Sequence, residues 1–90
     1  MASYELIFKK SVTRDLRTIP NQYIVRILQR IDSLRNTPRP GDCEKLSGQE
    51  KYRVRQGSYR IIYEIRDAAL VVCVVKVGHR SSVYRAGHHT

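Results

Sequence analysis

Apolar residues hold every second position from Tyr4 through Leu6 to Phe8, with Glu5 and Ile7 between them. This period of two predicts a first strand with one firmly buried face. The spacing then changes. Val12, Leu16 and Ile19 recur at helical intervals behind Ser11, which is the expected N-cap of a short first helix. Pro20 stops that helix and, with its φ fixed, can open a second one. In the second, Tyr23, Ile24, Ile27, Leu28, Ile31 and Leu34 line one side, while Arg26, Arg30, Asp32 and Arg35 line the other. Residues 36–48 carry two prolines, two glycines and no periodicity, which predicts a connecting loop with little regular structure.

The period of two returns from Lys51 to Ile65 (KYRVRQGSYRIIYEI) and is interrupted only at Gln56-Gly57-Ser58. This is the pattern of a β-hairpin. Tyr52 and Val54 share a face with Tyr59, Ile61, Tyr63 and Ile65, whereas Arg53, Arg55 and Arg60 fall together on the opposite, open side. After a tight turn at Arg66-Asp67, Leu70 to Val77 reads as a strand apolar on both faces, which must be central or covered. Gly78-His79-Arg80 ends it, and residues 81–85 are expected to wind into a turn before a polar tail. The order is strand, helix, helix, then a three-stranded antiparallel meander. It predicts an α+β fold over a single domain, residues 1–90, with the helices on one face of the sheet. An apolar strip from the last strand, Val72 and Val74 or Val71 and Val75, is expected on the open face beside the arginines, where a partner chain would cover it.

Charge turns this fold into a functional question. The 90 residues hold 17 Lys and Arg against 8 Asp and Glu, a net charge of +9. Residues 51–90 carry +6 of that excess and residues 1–50 only +3. A field of this sign accelerates capture of polyanions, so nucleic acid is the leading partner class and an acidic protein segment the second. No apolar run is long enough to span a bilayer, which leaves no membrane role, and nothing at the N-terminus reads as a signal peptide. Cys43 falls in the loop and Cys73 within the apolar strand, a pattern that fits a reducing cytoplasm rather than a disulfide framework.

Arg53, Arg55 and Arg60, joined by Arg80 and Tyr84 if the last strand lies beside the hairpin, form the candidate site. Guanidinium forks match phosphate oxygens in pairs and remain charged at any biological pH. Such a cluster suits stabilisation of the charge that builds on a phosphorane, but with a pKa above about 12 arginine is a poor general base. Lys51, Lys76 and Arg85 extend the basic surface as RNA-binding candidates, and Tyr84 can stack a splayed base or hydrogen-bond a phosphate. His79 is the side chain near the site whose ordinary pKa suits proton transfer at neutral pH. Tyr52, Tyr59 and Tyr63 are assigned to the core. No Cys or His pair has metal-ligand spacing, and no G-x-x-x-x-G-K, H-E-x-x-H or G-x-S-x-G pattern occurs. No metal or cofactor is expected.

FKKSVTRDLRTIP near the start, KLSG at the end of the loop, the YRVRQGSYRIIYEI hairpin and the closing VVKVGHRSSVYR appear in an order and spacing that resembles the RelE branch of the RelE/ParE toxin superfamily. The resemblance implies a RelE-like fold and a ribosome-dependent endoribonuclease that enters the A site and cuts mRNA without a metal. It also implies a cognate antitoxin that neutralises the toxin. By position, Arg53 and Arg55 match the two basic residues of the first hairpin strand, the second of which is often lysine. Arg60 matches the arginine at the scissile phosphate, Arg80 the proposed general acid, and Tyr84 the tyrosine that orients the substrate. The alternatives are a ParE-like inhibitor of DNA gyrase and an inactive toxin that serves only to bind its antitoxin.

Overall fold

The computed structural model describes residues 3–46, 48 and 50–81. Strand β1 (Glu5–Phe8) leads into helices α1 (Lys10–Arg17) and α2 (Asn21–Ser33), followed by β2 (Glu44–Lys45), β3 (Lys51–Gln56), β4 (Tyr59–Arg66) and β5 (Val71–His79). The strands form one mixed sheet in the order β1-β5-β4-β3-β2. β1 runs parallel to β5, with Leu6 beside Val72 and Phe8 beside Val74, and the other pairings are antiparallel. A parallel neighbour requires a long crossover, and here the connection is almost the whole chain. β5 lies between β1 and β4, the interior position that its doubly apolar sequence demands.

The core forms where α1 and α2 cover one face of the sheet. Val12, Ile27, Ile31 and Leu34 from the helical side, with Ile19 from the link between the helices, meet Val54, Ile61, Tyr63, Val72, Val74 and Val77 of the sheet. The buried set on β5 changes phase, since positions 72 and 74 are followed by 77. The β4–β5 ladder contains an irregularity at that point: Ile62 pairs with Lys76, but Tyr63 pairs with Val74. Val75 is the extra residue of a β-bulge, and a bulge resets which side chains face the core. Of the two strips expected on the open face, Val72 and Val74 are core, and Val71 and Val75, both half-buried, lie outside it.

Two local expectations are corrected. Ser11 is not the N-cap of α1. The backbone N–H of Lys9 is donated to Val74 O at 3.0 Å, carrying the sheet pairing one residue past β1, so the helix starts at Lys10 with Ser11 already inside it. Leu28, assigned to the buried side of α2, is 40% exposed, because its helical neighbours Ile27 and Ile31 already fill the contact with the sheet. Pro20 does occupy the N-cap of α2.

The long connection before β3 is held by its polar groups. Tyr63 donates its hydroxyl to Pro38 O at 2.7 Å from the core, and burial pushes its phenol pKa well above the ordinary range. Arg39 stacks its guanidinium over the Tyr52 ring, 5.2 Å from the centroid, and binds both carboxylate oxygens of Asp67 at 3.2 and 2.9 Å. Tyr4 donates its hydroxyl to the same carboxylate at 2.8 Å. Asp42 forms an ion pair with Arg30 of α2. These contacts deliver the chain to β2 in a fixed register.

Tyr63→Phe keeps the ring and removes only the bond to Pro38, so it should lower unfolding free energy by about 1 kcal/mol in urea titrations without changing the m-value. The bonds from Arg39 and Tyr4 hold the Asp67 carboxyl below its ordinary value of 3.8, and the bond from Arg30 does the same for Asp42. A depressed carboxylate pKa adds stability that is complete above 3.8 and lost as pH falls through the lower folded-state value. Thermal melts of Asp67→Asn should accordingly fall below wild type at pH 7 and converge with it as the pH falls through the lowered folded-state value.

Candidate nucleic-acid interface

The β3–β4 register builds the cluster. Gln56 pairs with Tyr59 and closes a two-residue loop in which Gly57 has φ +61°, the positive value that a type II′ turn requires at its first loop position. This turn makes Arg55 and Arg60 direct cross-strand partners and places Arg53 opposite Ile62. Directly paired residues keep their Cβ atoms about 5 Å apart on one face, where like charges destabilise each other unless an anion lies between them. Val54 and Ile61, one residue along on each strand, face the core.

Arg60 differs from expectation in exposure. It is 6% accessible, although an open strand face was predicted for it. It lies on β4 with Arg55 of β3 on one side and Gly78 of β5 on the other, so neighbouring strands wall its aliphatic stem. Arg53 is also largely covered, with 17% of its side chain exposed, whereas that of Arg55 is 60% exposed.

The sequence pattern missed the carboxylate at this cluster. β2 is only two residues long, but it pairs Glu44 with Arg53. Glu44 Oε1 accepts a hydrogen bond from Arg53 Nη2 at 3.2 Å and lies 3.9 Å from Arg55 Nη2. Two residues are too few to show a period, so a loop was expected there. The available signal was a single acidic residue just ahead of a basic strand.

The remaining site residues are distributed unevenly. Arg80 is exposed, and its backbone N–H is donated to Ser58 O at 3.0 Å, which ties the chain after β5 to the loop of the β3–β4 hairpin. Lys51 shares the arginine face and pairs with Glu64, but it is four residues, about 13 Å, from Arg55. Lys76 is already engaged: its Nζ is 3.1 Å from Asp15 Oδ1, while Asp15 Oδ2 accepts the Val77 N–H at 3.2 Å. This carboxylate of α1 caps the stretch of β5 that β1 leaves unpaired. His79 is separated from the arginines. It pairs with Tyr59 and packs its ring edge-on at 5.7 Å on the helix-covered face, because strand alternation gives Gly78, not His79, the position beside Arg60. Tyr84 and Arg85 lie outside the described residues. Among the described residues, no group of three His, Cys, Asp or Glu side chains could hold a metal ion, and no helix is long and apolar enough to cross a membrane.

The model of the family described as "ParE toxin of type II toxin-antitoxin system, parDE" matches residues 6–84. The chain belongs to this toxin family. Toxin RelG of Mycobacterium tuberculosis is 27% identical over 84 residues, covering 91% of this chain and 97% of the relative. The archaeal RelE-RelB complex of Pyrococcus horikoshii superposes with a TM-score of 0.77 at 31% identity, over 87% of this chain and 96% of the other. The intact RelBE toxin-antitoxin complex of Escherichia coli gives 0.75 at 25% identity, over 86% and 96%. These relatives put the toxin in the RelE branch of the RelE/ParE superfamily, with the α+β fold of that branch.

An opposed arginine pair should bind oxyanions before any larger substrate. Inorganic phosphate is expected to raise the melting temperature of the wild-type toxin in a concentration-dependent way. Arg55→Ala should lose most of that shift, and differential scanning calorimetry at constant ionic strength measures it.

Proposed function

We propose that the toxin is a ribosome-dependent endoribonuclease that cleaves mRNA in the cytoplasm by metal-independent transesterification. The observation that carries this reading is the Arg55–Arg60 cross-strand pair with Glu44 at its margin. The 2′-oxygen of one nucleotide attacks the adjacent phosphorus, the P–O5′ bond breaks, and the products are a 2′,3′-cyclic phosphate and a free 5′-hydroxyl. Arg55 and Arg60 bind the non-bridging oxygens and gain strength as negative charge accumulates on them. Arg60 is the better fixed of the two, since a covered guanidinium has little freedom to lose on binding.

The proton of the 2′-hydroxyl needs an acceptor that arginine cannot provide. Glu44 is the carboxylate beside the cluster, and accepting that proton is its proposed role. Arg80, held near the hairpin loop by its backbone bond to Ser58, is assigned the protonation of the leaving 5′-oxygen, as in the family it resembles. Arg53 positions Glu44 and faces the RNA backbone. Tyr84 orients the substrate, and Lys51 and Arg85 add outlying phosphate contacts. His79 has no part in this scheme because it packs on the other face against Tyr59.

Inhibition follows from the same charges. Relatives of similar fold are complexes of RelE with RelB. A cognate antitoxin with an acidic segment lying across Arg53, Arg55 and Arg60 would occupy the phosphate positions, with rapid, salt-sensitive association. A gyrase-directed activity is the second reading, favoured by the ParE name of the matching family. It would appear as DNA damage with intact mRNA.

Mapping of mRNA 5′ ends after induction should reveal new cuts within coding regions for the wild type. Arg60→Ala should reduce cleavage of ribosome-bound mRNA by about 100-fold or more, the usual loss when one charge-stabilising group is removed. Glu44→Gln should lower kcat by a similar factor and remove the rise of rate with pH that a carboxylate base produces. Wild-type induction without any new 5′ ends would refute the nuclease reading, and a Glu44→Gln enzyme with unchanged rate would remove Glu44 from the chemistry.

A further inference from the structure

On the face opposite the arginines, the start of α2 and the β3–β4 hairpin loop enclose a cleft of about 360 Å³. Its walls include Tyr23 and Arg26 of α2, Gln56 and Ser58 at the hairpin, and Tyr59 and His79 of the sheet. The three rings form one continuous set: Tyr23 and Tyr59 have centroids 5.6 Å apart at 45°, and Tyr59 meets His79 edge-on at 5.7 Å and 87°. His79 Nδ1 lies 3.1 Å from the Ser81 hydroxyl and accepts the Ser81 N–H at 3.4 Å, which fixes the ring's orientation.

Tyr59 is half-buried and packs against the core, but Tyr23 is 44% exposed and His79 is exposed as well, so Tyr23 remains available for stacking. Arg26 is exposed and forms no ion pair among the described residues. An exposed aromatic ring beside a guanidinium with no ion pair among the described residues matches a base and its phosphate. The position matters equally. Gln56 directly follows Arg55, and Tyr59 directly precedes Arg60, so cleft and cluster lie back to back across the hairpin loop.

We propose that this cleft is a second RNA subsite, which takes one unpaired nucleobase stacked on Tyr23 with its phosphate on Arg26. The nature of the RNA rests on the nuclease reading: the base belongs either to the mRNA beside the cleaved phosphate or to a splayed nucleotide of ribosomal RNA. The binding chemistry is the same in both cases. A protein occupant is less well matched, because the exposed ring is flanked within the cleft by Arg26 and Gln56.

The test uses purified full-length toxin and a short single-stranded RNA containing 2-aminopurine, whose fluorescence is quenched on stacking. The wild type should quench it. Tyr23→Leu, which keeps an apolar side chain at an exposed position, should weaken binding at least about five-fold, the loss of one base–aromatic stack. Arg26→Gln should weaken binding and flatten its salt dependence. Arg60→Ala should retain the quenching, so the subsite can stand if the nuclease reading fails. An mRNA source predicts that Tyr23→Leu shifts the codon context of cleavage. A ribosomal source predicts weaker association with empty ribosomes and an unchanged context. Absence of quenching by the wild type, or equal quenching by Tyr23→Leu, would overturn the proposal. So would weaker antitoxin binding by Tyr23→Leu with RNA binding intact, which would make the cleft a protein-docking site.

Discussion

The register of the β3–β4 pair is the constraint that the remainder of the structure inherits. Because side chains alternate with a strict period of two, the turn that sets Gln56 opposite Tyr59 decides both faces at once. Val54, Ile61 and Tyr63 enter the core, and Arg53, Arg55 and Arg60 are assembled on the opposite side. A slip of one residue would drive arginine into the helical layer and expose the tyrosine that anchors Pro38. The energy that favours burial of the apolar set therefore also holds two like charges opposite each other. Stability and function share one register, and Glu44 stands at the margin of the two opposed cations as a counter-charge.

The other strands complete the site by positioning the hairpin's neighbours. β5 needs the bulge at Val75 to send Val77 into the core after Val72 and Val74, and this change of phase also sets Gly78 beside Arg60. β2 consists only of Glu44 and Lys45, but it brings a carboxylate to the arginine face from that edge. Its place depends on contacts far away. Tyr63 with Pro38, Arg39 with Asp67 and Arg30 with Asp42 hold the connection from which Glu44 emerges. Polar contacts some distance from the arginine cluster thus hold the connection that brings a carboxylate beside it.

These dependencies explain which parts of the molecule were legible in the sequence. The hairpin was, since alternation over fourteen or so positions with a glycine at the turn leaves little choice of pairing. So were the two helices, Pro20 at the start of the second, and the interior position of β5. What failed depended on non-local geometry. A bulge has no signature within an unbroken apolar run such as residues 71–75, so the faces of β5 could not be divided from sequence. The N-cap at Ser11 was displaced because Val74, some sixty residues away, captures Lys9. Glu44 joins the site only through a two-residue strand, and the cover over Arg60 comes from neighbours that periodicity does not count. His79 was placed near the arginines by its distance along the chain, which alternation does not respect.

The two faces of the hairpin loop bear unequal risks, and this asymmetry argues for how they are used. The arginine pair sets two cations directly opposite each other with Glu44 at its margin, so it is well suited to recognise a group whose negative charge increases during reaction. The ring set of Tyr23, Tyr59 and His79 imposes no comparable penalty, because its members stabilise one another through contact whether or not anything is bound. Affinity is better drawn from the second surface and transition-state stabilisation from the first. Binding substrate tightly through the arginines alone would hold the ground state as well as the transition state and gain nothing in rate. A strand of RNA gripped by stacking on one side of the loop, with its phosphate presented to the arginines on the other, separates the two tasks within a span of four residues, Gln56 to Tyr59.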